Sequence, residues 1–302
     1  MNKRIFKIAG IFFFVSVVFA SCEKNKETEV EENCVGENYT IQVDKFINKL
    51  EVTFPGFLPV IKTHAYTYNE FNLLSEHNLY NMDIDVKKFY NYVCNNNLKE
   101  ITSNDTNPKN YKYDDENRLI HFASTSSFNN DYTLSYDANL VSVKGNINTE
   151  QDVELTLEMN QLGLVSKITR KDNYSTFEYD TDGNLTVAKD LDLSDNLLRE
   201  YVITYDQNPN PFYGQFKANY LERFLYFFSK DVRFGIDIFS RFNQFEFPYL
   251  KNNLILIKDK SCAPCYDKLL ERVYVYDDQN YPKEIDESYV GSPSVTYKFE
   301  YK

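Results

Sequence analysis

Apolar and polar positions alternate along much of this chain. In the last stretch, Val295-Thr-Tyr-Lys-Phe-Glu-Tyr301, the apolar residues fall on every second position. A period of two puts alternate side chains on opposite faces of a β-strand. Leu254-Ile-Leu-Ile257 and the segment from Leu269 to Tyr276 read as strands as well. One stretch departs from this period. Between Lys217 and Ser229, Tyr220, Leu221, Phe224, Leu225 and Phe228 recur at a helical spacing among good helix formers. The pattern therefore predicts an all-β protein with a short helix around 217–229.

The strands are organised as a repeat. In each Tyr-x-Tyr-Asp-like stretch the second aromatic position serves as an anchor. Anchors fall at Tyr68, Tyr92, Tyr113, Tyr136, Met159, Tyr179 and Tyr205, 20 to 26 residues apart, and again at Tyr276. The next residue is usually Asp or Asn, as in Asp114, Asp180 and Asp277. These side chains suit the first position of a type I turn, where their oxygens accept backbone amides further on. Four residues after the anchor stand Asn117, Gly183 and Asn280 in the same units, types that tolerate positive φ. A type I turn followed by one left-handed residue makes a three-residue hairpin loop with a bulge. Six residues after the anchor comes an apolar residue such as Leu119 or Leu185, placed to pack opposite the anchor tyrosine.

Two units differ. Tyr136-Asp-Ala-Asn-Leu140 is shorter and predicts a tighter turn at Asn139. Tyr205-Asp-Gln-Asn-Pro-Asn-Pro211 carries two prolines, which cannot continue a central strand, and reads as the end of the regular array. The long gap before Tyr276 holds degenerate units or an insertion.

Asp180, Asp182 and Asn184 alternate as the oxygen ligands of a calcium loop do. An EF-hand loop beginning at Asp180 needs Gly at its sixth position and Glu at its twelfth, where this chain has Leu185 and Leu191. The repeat accounts for the same residues as a turn, and no metal site is assigned.

These units resemble the YD-repeat (RHS-like) hairpins of Bacteroidetes surface lipoproteins, best over residues 66–210 and again over 274–301. The resemblance implies a long antiparallel meander of YD-like β-hairpins forming a twisted, curled sheet. It is nearly silent on function, because the same hairpin serves many roles.

The N-terminus carries an address. Met1-Asn-Lys-Arg-Ile-Phe-Lys7 precedes an apolar run from Ile8 to Ala20, the pattern of a secretory signal. Val18-Phe-Ala-Ser-Cys22 resembles a bacterial lipobox, which makes Cys22 the expected lipidated residue. The expected organisation is a signal peptide over 1–21, a charged flexible tether over 22–38 and a single β domain over 39–302. Cys262-Ala-Pro-Cys265 lies between two strands, outside any βαβ context, and reads as a structural disulfide of an oxidising envelope. The pairing of Cys34 and Cys94 is not deducible.

Charge and composition narrow the functions. The net charge of −12, with no basic cluster beyond the extreme N-terminus, argues against nucleic acid as a partner. The three histidines form no metal spacing, and no nucleophile elbow or phosphate loop occurs. No catalytic residue, metal or cofactor is expected. The region from 212 to 249 holds 14 aromatic residues, and Tyr213, Tyr220, Tyr226 and Tyr249 are candidates for an aromatic binding patch. Packing of the same residues against a sheet is the other reading. The expected function is a non-enzymatic outer-membrane or cell-surface lipoprotein, held to the membrane at Cys22, that binds a glycan, a peptide or a surface protein. An accessory protein carrying an apolar ligand in a curled sheet, and a hydrolase with a hidden carboxylate pair, are the alternatives.

Overall fold

The computed structural model describes residues 44–302, apart from 83, 94–95, 126–128, 216–218, 234, 237–249 and 262–267. The first hairpins are built from strands β1 (Ile47–Phe54), β2 (Val60–Tyr68), β3 (Leu74–Asn81), β4 (Ile84–Tyr92), β5 (Leu98–Ser103), β6 (Lys109–Tyr113) and β7 (Leu119–Ser124). There follow β8 (Asn130–Asp137), β9 (Leu140–Ile147), β10 (Glu150–Met159), β11 (Val165–Thr169), β12 (Asn173–Tyr179), β13 (Leu185–Asp192) and β14 (Leu197–Pro209). After helix α1 (Tyr220–Phe228) come β15 (Asn252–Asp259), β16 (Leu270–Tyr276), β17 (Pro282–Tyr289) and β18 (Val295–Tyr301).

Each strand pairs antiparallel with the next, and β1 pairs with β18 as well as with β2. The sheet is therefore a closed 18-strand barrel rather than the twisted, curled open sheet expected from the repeat. Closure has a physical reason. Leu50 faces Phe299 and Val52 faces Tyr297 across the seam, so two apolar strands pair and no edge is left exposed. The array also does not end at Tyr205. β14 runs on to Pro209 and pairs with β15, and residues 210–251 are an insertion within that hairpin. The prolines are accommodated because the pairing is irregular between Tyr205 and Pro209.

The turns share one geometry. At the β12–β13 turn, the Gly183 amide donates to the Asp180 carbonyl at 3.1 Å, and Asp180 Oδ1 accepts the amides of Asp182 and Asn184, each at 2.9 Å. The same pattern recurs at Asn69, Asp114, Asn160 and Asp277. Positive φ falls on Asn72, Asn96, Asn117, Gly163, Gly183 and Asn280. A register shift lies immediately before Tyr68, Tyr92, Tyr113, Met159, Tyr179 and Tyr276. These bulged turns lie at one end of the barrel, hereafter the tyrosine end, and the β13–β14 turn at Asp192, with Asp195 at positive φ, repeats the geometry at the other end.

Between hairpins the ladders stop short of this end. β3 pairs with β4 only from Glu76 onward, and β13 with β14 only from Val187 onward. The carbonyls of Leu74 and Leu185 thus lack a strand partner on that side. The tyrosine of the following hairpin supplies the donor: Tyr92 Oη donates to the Leu74 carbonyl and Tyr205 Oη to that of Leu185, both at 2.8 Å. Tyr68, Tyr113, Tyr136, Tyr179, Tyr274 and Tyr301 do the same to Ile47, Leu98, Leu119, Val165, Leu254 and Pro282, at 2.6–3.0 Å. The junction between β9 and β10 is different. There the two-residue turn has no bulge, Leu140 pairs with Glu158, and the anchor is Met159. A donor is absent where no carbonyl needs one. Burial pushes the Tyr136 and Tyr274 phenols up to about 12, so they remain donors at neutral pH.

Replacing Tyr92 by Phe is expected to leave the Leu74 carbonyl unpaired in a half-buried site and to cost about 1–3 kcal/mol in urea unfolding. Met159→Tyr is expected to bring no gain, and a gain as large as the loss in Tyr92→Phe would contradict the junction rule.

Candidate functional site

The inward-facing strand residues and α1 fill the barrel. Eight of the nine residues of α1 are buried, as expected for a helix enclosed on all sides. Phe224 and Phe228 pack on Phe177 with ring centroids 4.9 and 5.0 Å apart. At the tyrosine end, Gln215 accepts the Leu74 amide at 2.8 Å and donates to the Asn72 carbonyl at 3.0 Å, seating the insertion against the β2–β3 turn. Tyr220 Oη accepts the Val165 amide at 2.8 Å. At the other end Arg170 closes the helix. Its Nε donates to the Ser229 carbonyl at 2.7 Å, its Nη2 to the Phe228 carbonyl, and its Nη1 to Ser175 Oγ at 2.8 Å. A cation on the last carbonyls also opposes the negative end of the helix dipole. Asp190 accepts the Ser175 hydroxyl at 2.6 Å and the Val232 amide at 3.1 Å. Burial raises the Asp190 carboxyl, against the nearby Arg170 charge, which lowers it.

A wide opening lies beside this helix cap. β10 pairs with β11 only from Thr156 to Met159, and a bulge with positive φ at Asp152 bends the overhanging β9–β10 hairpin. The overhang and the β11–β12 turn leave a groove of about 870 Å³. Thr156, Thr169, Lys144, Glu154, Asp172 and Asn173 contribute hydroxyls, amides and charges, while Arg170 and Ser229 form its inner wall. This lining suits a polar ligand.

The sequence-derived candidates are scattered. Tyr220 is buried, Tyr226 packs against the core, and Tyr213 is partly exposed at the tyrosine end. These three do not share a surface, because the helix turns its aromatic side chains into the barrel. Tyr249, Cys22, Cys34, Cys94, Cys262 and Cys265 lie outside the described residues. Asp114, Asn117, Asp180, Gly183, Asp277 and Asn280 all stand in turns. The oxygens of Asp180 are taken up by backbone amides and by Asn184 Nδ2 at 2.8 Å, and Asp182 pairs with Lys251. Among the described residues no cluster of His, Cys, Asp and Glu could hold a metal.

Two internal polar pairs escaped sequence reasoning. His64 Nδ1 lies 2.8 Å from His77 Nε2, with Tyr66 stacked on His77 at 4.8 Å. Arg272 Nε donates to Glu287 at 2.9 Å inside the wall, and Tyr297 Oη donates to the same carboxylate at 3.1 Å. The signal for both was parity: these residues occupy inward positions of their strands.

No protein-family profile and no curated protein matches this chain. Among solved structures, a porin-like protein from Bacteroides uniformis aligns at 15% identity and a TM-score of 0.43, covering 85% of this chain and 96% of that one. The TcdB2-TccC3 structure without its hypervariable C-terminal region aligns at 12% identity and a TM-score of 0.26, covering 80% of this chain and 10% of that one. A Photorhabdus luminescens Tc holotoxin pore aligns at 9% identity and a TM-score of 0.25, covering 79% and 13%.

Two outcomes follow from these contacts. Arg170→Met strips the donors from the helix end and is expected to cost about 3 kcal/mol or more in chemical unfolding. Gly183→Val, at φ +83°, is expected to cost about 1–2 kcal/mol, while a chelator leaves the melting temperature of the native chain unchanged. A drop on chelation would restore the metal reading of 180–184.

Proposed function

We propose that this chain is a cell-envelope lipoprotein anchored at Cys22, whose barrel is a non-enzymatic binding or structural module of the YD-repeat type. One observation carries the reading: the barrel is filled inside and charged outside. Ion pairs line the outer wall, including Lys49 with Glu300, Lys144 with Glu154, Lys189 with Glu178, and Lys298 with Glu284. A barrel that spans a lipid bilayer presents an apolar outer band and a polar lumen, and a Lys on the lipid face costs about 2–4 kcal/mol near the midplane. The arrangement here is the reverse. Such a domain is held at a membrane by an anchor and not by its strands, which agrees with the lipobox-like Val18-Phe-Ala-Ser-Cys22.

The filled lumen also disfavours an apolar ligand carried within the sheet, since α1 occupies that space. A carboxylate pair for hydrolysis finds no support in Asp190 or Glu222. Asp190 is engaged by Ser175 and Val232, and Glu222 by Asn219 and Tyr111. Partners therefore meet the outer wall or the loop ends, and the groove beside β10 is the place for a glycan or peptide segment.

Labelled palmitate is expected to enter the full-length protein in cells and to be lost in Cys22→Ser. The purified protein is expected to show no conductance in planar bilayers. Stepwise channel openings would overturn the filled-lumen reading.

A further inference from the structure

Two neighbouring hairpins carry bare apolar tips at the end opposite the tyrosines. The β1–β2 turn is Pro55-Gly-Phe-Leu-Pro59, with Phe57 fully exposed and Leu58 78% exposed. Prolines on both sides limit the conformations of this turn, so its side chains are held outward at small entropic cost. On the adjacent β3–β4 turn Met82 is 81% exposed. Thr63 pairs with Tyr80, and continuing that register brings Ile61, itself half-exposed on the outer face, level with Met82. Lys62 stands over the Phe54 ring at 4.9 Å behind the first tip.

We infer that these tips dock the barrel on a lipid bilayer, with Phe57, Leu58 and Met82 entering the headgroup–acyl boundary. The inference rests on the lipoprotein reading. Two narrow, separate projections offer little area to a protein partner, which needs a broad complementary face. Shallow insertion into a bilayer needs only a few large apolar side chains, helped by an existing anchor. Chain length permits it. β1 begins at the tyrosine end, and the stretch from Cys22 to Ile47 spans at most about 90 Å when extended, against a wall of roughly 26 Å for an eight-residue strand. The tips can therefore reach the membrane that holds the lipid.

The chain contains no tryptophan, so a Phe57→Trp variant of the full-length protein carries a single indole at the tip. On vesicles of phosphatidylethanolamine and phosphatidylglycerol with brominated acyl chains, its emission is expected to shift to the blue and be quenched. Leu162→Trp, at an exposed turn of the tyrosine end, is expected to show neither change. Anchored protein in which neither or both positions are quenched overturns the docking and leaves the lipoprotein reading intact. A Cys22 without acyl groups in mass spectrometry removes the lipoprotein reading instead. The same vesicles added to that unanchored protein then decide the docking: quenching of Phe57→Trp sustains it, and its absence overturns it. Replacing Phe57 and Leu58 together by Ser is expected to weaken vesicle contact at least about tenfold. Lost self-association in the ultracentrifuge with unchanged vesicle contact would assign the tips to a second copy and overturn the proposal.

Discussion

The bond on which this barrel depends is the one from a tyrosine hydroxyl to a backbone carbonyl across the junction of two hairpins. A bulged turn tightens each hairpin but ends the ladder to its neighbour early, and this leaves a carbonyl unpaired near the core. An unpaired buried carbonyl costs as much as a lost hydrogen bond. The phenol removes that cost and also sets the register of the next hairpin, because only one strand offset brings the oxygen within reach. Eight junctions use this bond, and the ninth, where β9 and β10 stay paired up to Leu140 and Glu158, has methionine. Hairpins that could each slide are thereby locked into one ring.

A ring of eighteen strands would be too wide for strand side chains alone to fill. The insertion between β14 and β15 solves this by placing α1 in the lumen. The solution needs polar fasteners at both helix ends, since the barrel wall offers mostly apolar side chains. Gln215 and Tyr220 serve at the tyrosine end, and Arg170, Asn148 and Asp190 at the other. These buried polar groups fix the depth and rotation of the helix, which apolar contacts alone leave loose.

What was legible in the sequence was local. Turn offsets such as Asp180 and Gly183 follow from residue types within five positions, so the hairpins could be placed without a structure. Closure depended on Leu50 meeting Phe299, residues at opposite ends of the chain, and no local pattern encodes that pairing. The prolines at 209 and 211 read as a terminus because a central strand rejects them. The chain instead uses an irregular stretch of β14 to launch the plug. Helical spacing in 217–229 was legible, but an aromatic helix inside a barrel and one on its surface have the same sequence. His64 and His77 carry no spacing signal, since their contact arises from inward parity on adjacent strands.

The two ends of the barrel have unequal freedom. At the tyrosine end most turns are short and shaped by a side-chain oxygen, and the phenols depend on their positions. Changes there disturb the ring. At the far end the connections vary in length, no tyrosine ladder constrains them, and the groove, the helix cap and the apolar tips all occur. Loops relieved of structural duty on a rigid frame are where binding residues accumulate. The ladder thus does more than hold the barrel closed: by fixing one end, it leaves the other end as the surface on which recognition can be built.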